Sequence, residues 1–318
     1  MGPPRNDKAG DVLQPPPAKP QSTRLAVLIP FGIVTLIWGS TWLVIRDQLG
    51  VVPPSWSVTY RFIVGGLCMT GYALWKRDSF RIGARGLAFA SVLGIAQFCM
   101  NFNFVYRAEQ HVTSGLVSVV FALLLVPNAV LARIFLGQKL GRQLVVGASI
   151  AMAGIVLLFV NEARIDPHGP GQVLLGIGFT LCAILSASTA NVMQATPTAA
   201  RYPMGSLLAV AMLVGAGIDA LYALATVGPP VVEMRAAYWL GIAYLGVFAS
   251  ALAFPLYFGV LRTIGPAKAA YSSVIVPVIA MLLSTIFEDY RWSGLAVAGA
   301  ALAATGLVIA LRARRPNR

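Results

Sequence analysis

Charge is scarce in this chain and histidine scarcer, and each shortage excludes a class of protein. Only 11% of the 318 residues are Asp, Glu, Lys or Arg, while 58% are hydrophobic. A soluble domain of this length needs far more charge to cover its surface. The two histidines, His111 and His168, are too few for the ligand or base clusters of a membrane-embedded enzyme, and neither HExxH nor GxSxG occurs. Cysteine is limited to Cys68, Cys99 and Cys182, all inside apolar runs and without CxxC spacing. That leaves no disulfide framework or zinc site and reads as small buried hydrophobes. No cofactor is implied. Acidic residues are outnumbered 11 to 24 by basic ones, a net charge of +13. The basic residues nevertheless fall in short clusters between apolar runs, without the continuous basic stripe and stacking aromatics that a nucleic acid would require.

What the chain does have is hydrocarbon in long stretches. A helix needs roughly 20 apolar residues to cross a bilayer. Runs of that kind lie near 25–45, 56–75, 86–106, 112–132, 143–161, 172–192, 204–226, 237–258, 266–287 and 293–311. The expectation is an all-α membrane protein of ten transmembrane helices. Residues 1–24, rich in proline and polar side chains, read as a disordered cytoplasmic tail, and 312–318 as a basic cytoplasmic tail. Eighteen Lys and Arg fall on one alternating set of segments and five on the other, with Arg61 inside a crossing. By the positive-inside rule both termini are then cytoplasmic. The loops are too short for a separate soluble domain, so function must lie among the helices.

Two halves of five crossings would enter the membrane from opposite sides, the pattern of an inverted-repeat transporter. A shift of 152 residues lays Gly147 on Gly299, Ala151 on Ala303 and Gly154 on Gly306. Both the fifth and tenth crossings thus carry a stripe of small residues that lets helices approach closely. The halves span 25–161 and 172–311. Pro127 and Pro277 interrupt the fourth and ninth crossings; each is either a kink or a freed carbonyl facing a cavity.

In this order and spacing, the WGSTW of Trp38 to Trp42, the YRF of Tyr60 to Phe62, the HVTSGL of His111 to Leu116 and the glycine-rich fifth and tenth crossings resemble the EamA-type members of the drug/metabolite transporter superfamily. The resemblance implies ten helices in two inverted five-helix repeats around a central cavity. It further implies export of amino acids, other metabolites or toxic compounds across the cell inner membrane. Family halves often close the fourth or ninth crossing with Gly-Glu; here the pairs are Gly137-Gln138 and Phe287-Glu288. Import or facilitated diffusion of a small organic solute stays open, as does a monomeric or homodimeric state.

Polar groups in hydrocarbon are costly and normally face the bundle interior. The candidates for substrate contact are Trp38, Trp42, Arg61, Gln97, Asn101 and Tyr271. Arg61 either clamps a substrate carboxylate or snorkels to the interface. Gln97 and Asn101, four residues apart, share a helix face and either orient a substrate or join two helices. Asp219 lies at the depth of Arg61, so the two either face one outer vestibule and pair or reach the interface separately, Asp219 at interfacial water; Asp219 is also the candidate for ion or proton coupling. Gly39, Ser40 and Thr41 are expected to serve helix packing, with hydroxyls bonding back one turn.

Overall fold

In lipid only a structure that satisfies its own backbone survives, and apolar runs of this length satisfy it as helices. The structure, a computed structural model, describes residues 20–138, 141–165, 170–264, 269 and 272–311, and among these it contains helices and no strand. The helices are α1 (Pro20–Asp47), α2 (Pro54–Trp75), α3 (Gly83–Glu109), α4 (Ser114–Leu136) and α5 (Arg142–Ile165). They continue with α6 (Pro170–Gln194), α7 (Met204–Thr226), α8 (Ala236–Thr263), α9 (Ser272–Phe287) and α10 (Gly294–Leu311). Seven of them are long and apolar enough to cross a membrane by length and composition. Each apolar run of the sequence falls on one of these helices.

Local chemistry sets the ends. Pro54 opens α2, where its missing N–H leaves no intrahelical bond unmade. Gly137 closes α4 with φ of 67°, the left-handed turn that glycine adopts without strain. The first helix begins at Pro20, so the last five residues of the expected tail 1–24 are helical. Residues 1–19 and the second tail, 312–318, lie outside the described residues.

Three irregularities interrupt the helices. A π segment occupies Ile95–Met100 in α3 and another Tyr244–Leu252 in α8. In α4 the backbone tightens to a 3-10 turn at Ala122–Leu124. Pro127 cannot donate to the carbonyl four residues back, that of Leu123, so the helix is free to tighten there.

The expected small-residue stripes are packing surfaces. α5 lies along α10 and α2 along α7. A Cβ on Gly154 would come within 2.3 Å of the Ala303 nitrogen, and one on Gly306 within 2.2 Å of the Ala151 nitrogen. Residues that the 152-residue shift equates therefore meet across one seam. The same close approach recurs between α3 and α7, where a Cβ on Gly94 would lie 2.3 Å from the Ala211 oxygen.

Candidate functional site

The residues that hydrocarbon should push inward converge on one cavity. It opens between α1, α2, α3, α4, α6, α8 and α9, with about 100 Å³ of room for the centres of water molecules, enough for several waters or a small solute. Trp38, Trp42, Arg61, Gln97 and Asn101 all line it. Tyr271 lies outside the described residues. The glycine seam of α5 and α10 contributes nothing to the wall.

Arg61 is the charge in this cavity. Its residue is 1% exposed, so a snorkelling role does not hold. The guanidinium lies 4.1 Å from the centre of the Phe102 ring, and Nε donates to Ser250 Oγ at 3.2 Å. Its Nη1 has no hydrogen-bond partner. Ser250 Oγ donates in turn to the Leu245 carbonyl within the π segment of α8. A buried guanidinium with open donors at a cavity wall is suited to a planar anion.

Around it stand groups with spare hydrogen-bonding capacity. Trp42 packs edge-on to Phe121, and its Nε1 is buried and unpartnered. Gln97 Oε1 and Asn101 Oδ1 are likewise buried without partners. Because the two ends of a side-chain amide exchange on a flip, either residue can offer a donor or an acceptor. Gln97 sits within the π segment of α3, which displaces it from a regular helical position. Trp38 is differently engaged. Its Nε1 donates to the Ala249 carbonyl in the π segment of α8 at 3.2 Å, and its ring packs against Phe254 and Tyr257. The cavity therefore has a polar side, built by Arg61, Trp42, Gln97 and Asn101, and an aromatic side.

Gly39 packs against Ile279, where a Cβ would come within 2.7 Å. Thr41 donates to the Trp38 carbonyl, and Ser40 to that of Ile37 while meeting the Tyr244 hydroxyl at 2.7 Å. These are the bonds expected of hydroxyls that serve packing. Pro277 lines the cavity and Pro127 does not.

The expected pairing of Arg61 with Asp219 is not what the structure has. Asp219 is fully buried, accepting hydrogen bonds from Asn103 Nδ2 and from Cys99 Sγ at 3.3 Å. Equal depth put the two residues at one level, but their side chains go to different partners: Arg61 lies over Phe102 and bonds Ser250, while Asp219 is held by Cys99 and Asn103. The sequence reading also overlooked Glu109, fully buried at the last turn of α3, with both carboxylate oxygens lacking hydrogen-bond partners among the described residues. Read along the chain it belongs to a loop end, and only the closure of α1 and α9 over it buries it.

Contacts at this end of the cavity join four helices. Arg46 donates to the Glu109 carbonyl and stands 3.6 Å from Glu288 Oε1, while Glu288 Oε2 accepts from Ser114 Oγ at 2.6 Å. Tyr106 donates to Gln48 Oε1 at 2.7 Å beside them. These contacts tie α1, α3, α4 and α9 together beyond Ile45 and Val105. Glu288 was noted in the sequence only as an irregular counterpart of a family pair. His111 stacks on Phe179 and contacts Gln172 Oε1.

Other wall residues escaped the sequence reading. Asn191 of α6 could have been found, being another amide within an apolar run. Phe254 and Tyr257 gave no signal, since aromatic side chains in such runs face lipid as readily as a cavity.

A helical membrane protein with a mixed polar and aromatic cavity between its helices has the form of a small-solute carrier. Comparison with known proteins gives the family. The model of the EamA-like transporter family matches residues 27–160 and 174–312, and the chain belongs to that family. It is a membrane transporter, acting on a small molecule. Among its relatives, the inner membrane transporter YedA of Escherichia coli is 27% identical over 252 residues, 79% of each chain. Protein PagO of Salmonella typhimurium is 24% identical over 84% of this chain and 85% of its own. The "probable amino-acid metabolite efflux pump" of Escherichia coli is 22% identical over 87% of this chain and 92% of its own. A solved crystal structure, 24% identical, matches 92% of this chain and 99% of its own with a TM-score of 0.66, a likeness of fold.

Proposed function

We propose that this chain exports small carboxylate-bearing metabolites, apolar and aromatic amino acids among them, across an inner membrane by alternating access. Ten helices cross the bilayer as two inverted halves, 25–161 and 172–311, with both termini in the cytoplasm. The observation that carries the substrate class is Arg61, a buried guanidinium in the cavity wall whose Nη1 has no hydrogen-bond partner among the described residues. A substrate carboxylate takes this donor and the Trp42 N–H. Gln97 and Asn101 hold an amino group through their amide oxygens, and the rings of Trp38, Phe254 and Tyr257 receive the side chain. Supporting export, a relative 22% identical is described as an amino-acid metabolite efflux pump.

The inverted arrangement draws support from paired irregularities. The π segments of α3 and α8 fall at corresponding places in the two halves. Gly215 packs on the Gly94 carbonyl as Gly65 does on that of Gly246. Three helices of each half, α1, α3 and α4 and then α6, α8 and α9, supply the cavity wall along with α2.

Counterflow in proteoliposomes tests the proposal, with a panel of amino acids, organic acids, their neutral amides and cationic drugs. Saturable exchange confined to the carboxylates is expected. Unsaturable flux, or exchange of the cationic drugs alone, refutes it.

A further inference from the structure

Outside the cavity lining, between α3 and α7, lies a second polar cluster. Asp219 of α7 is fully buried, its Oδ1 accepting from Asn103 and Cys99 and its Oδ2 without a hydrogen-bond partner. The carboxylate thus keeps one open oxygen and, among the described residues, has no Lys or Arg within ion-pair distance. From it a line of hydrogen bonds reaches the surface: Arg107 Nη1 donates to Asn103 Oδ1 at 3.2 Å, and Arg107 Nη2 to the exposed Tyr222 hydroxyl at 3.1 Å.

The charged and titratable groups acting on Asp219 are Cys99 and Arg107, both on α3. From α7 itself Tyr222 is engaged by Arg107. On α2, packed against α7, Tyr60 donates to the Val231 carbonyl and Arg61 to Ser250 Oγ. Among the described residues no Lys or Arg stands within ion-pair distance of the carboxylate.

The grip of Asp219 on α3 falls on a special stretch of backbone. Cys99 belongs to the π segment Ile95–Met100, which also carries Gln97 to the cavity, and Asn101 follows it directly. Before the segment, α3 is pinned to α7 by the contact of Gly94 with Ala211. A π turn holds one residue more than an α turn, so shifting the bulge along the helix turns the residues it passes by about 100°. The ionised carboxylate holds Cys99 and Asn103 with charge-assisted bonds that protonation weakens.

We propose that Asp219 is a proton-binding site that couples the proton gradient to substrate movement, by setting the register of the α3 π segment and with it the placement of Gln97 and Asn101 in the cavity. Binding the proton forms one O–H bond at Oδ2 and its release breaks that bond; no other covalent bond changes. The proposal rests on the cavity reading above, since it needs a substrate held by those amides.

Proteoliposomes separate the two. With one proton exchanged per substrate, a one-unit pH gradient sustains about tenfold accumulation of the carboxylate found by counterflow. The wild type is expected to reach this level. Asp219→Asn, which keeps both hydrogen bonds to Oδ1, is expected only to equilibrate substrate while exchanging it normally at equal pH. Counterflow without accumulation in the wild type, or full accumulation in Asp219→Asn, overturns the coupling role alone. Absence of saturable counterflow in the wild type overturns the cavity reading and this proposal with it. Should Asp219→Asn not insert, substrate-driven proton movement in the wild type, followed with an enclosed pH dye, and its retention in Asp219→Glu decide the matter. No proton movement overturns the proposal.

Discussion

Replacing Arg61 by methionine removes the charge on which the substrate class depends, and the structure indicates that the fold will tolerate it. The guanidinium is nearly sealed from solvent; its Nε donates to Ser250 Oγ, and the Tyr106 hydroxyl and Glu109 carboxylate are among its other polar neighbours. Ser250 keeps its bond to the Leu245 carbonyl when Arg61 is gone. A methionine side chain refills the place over the Phe102 ring with a favourable sulfur contact. Tyr106 keeps its bond to Gln48 Oε1, and the desolvation cost of a buried cation disappears. Binding should behave differently. Truncating one partner of a buried, hydrogen-bonded charge pair costs about 2 kcal/mol or more, which is about 30-fold in affinity. The assay is the half-saturation concentration for counterflow, measured for an amino acid and for its neutral amide in wild type and Arg61→Met. The wild type should prefer the carboxylate, and Arg61→Met should lose about 30-fold of that preference while binding the amide about as before. Comparing the two ligands cancels any general damage to the cavity. An unchanged preference refutes the assignment of Arg61 to the carboxylate.

Trp42→Phe keeps the edge contact with Phe121 but deletes the N–H. Loss of a hydrogen bond to a charged group should raise half-saturation for the carboxylate about tenfold, and wild-type values would remove Trp42 from the carboxylate site. Gly154→Leu forces α5 and α10 apart at the seam where even a Cβ meets the Ala303 nitrogen. Such overpacking should cost about 1–3 kcal/mol, read as a lower thermal midpoint in detergent, with little change in half-saturation because the seam is remote from the cavity. Arg46→Gln breaks the contacts that tie α1 to Glu109 and Glu288. In a background with serine for the native cysteines, the thiol of Ile45→Cys should then react several-fold faster with a water-soluble maleimide added at that end. Equal rates would show that Arg46 does not hold the end closed.

The residues nearest the cavity show how far one-dimensional information reaches. Arg61, Gln97 and Asn101 stand out because an amide or a charge in an apolar run is too costly to leave in hydrocarbon, and such a group must turn inward wherever the helices meet. Asn191 obeys the same rule. Phe254 and Tyr257 do not reveal themselves, because an aromatic ring is at home on either side of a helix. The depth of Asp219 was legible in the sequence, but its partner was not. Depth follows from counting residues along one helix, whereas pairing depends on how each helix is turned about its axis.

From the sequence alone come the membrane environment, the placement of the helices, the family and the glycine faces of α5 and α10. All of these follow from the period and polarity of single segments, which lipid constrains helix by helix. Only the tertiary structure decided that Arg61 and Asp219 belong to different sites, that Glu109 is sealed beneath α1 and α9, and that π segments carry Gln97 to the cavity and receive the Trp38 indole N–H. Each of these is fixed by the rotation of one helix against another, and that rotation is set by packing between segments far apart in the chain.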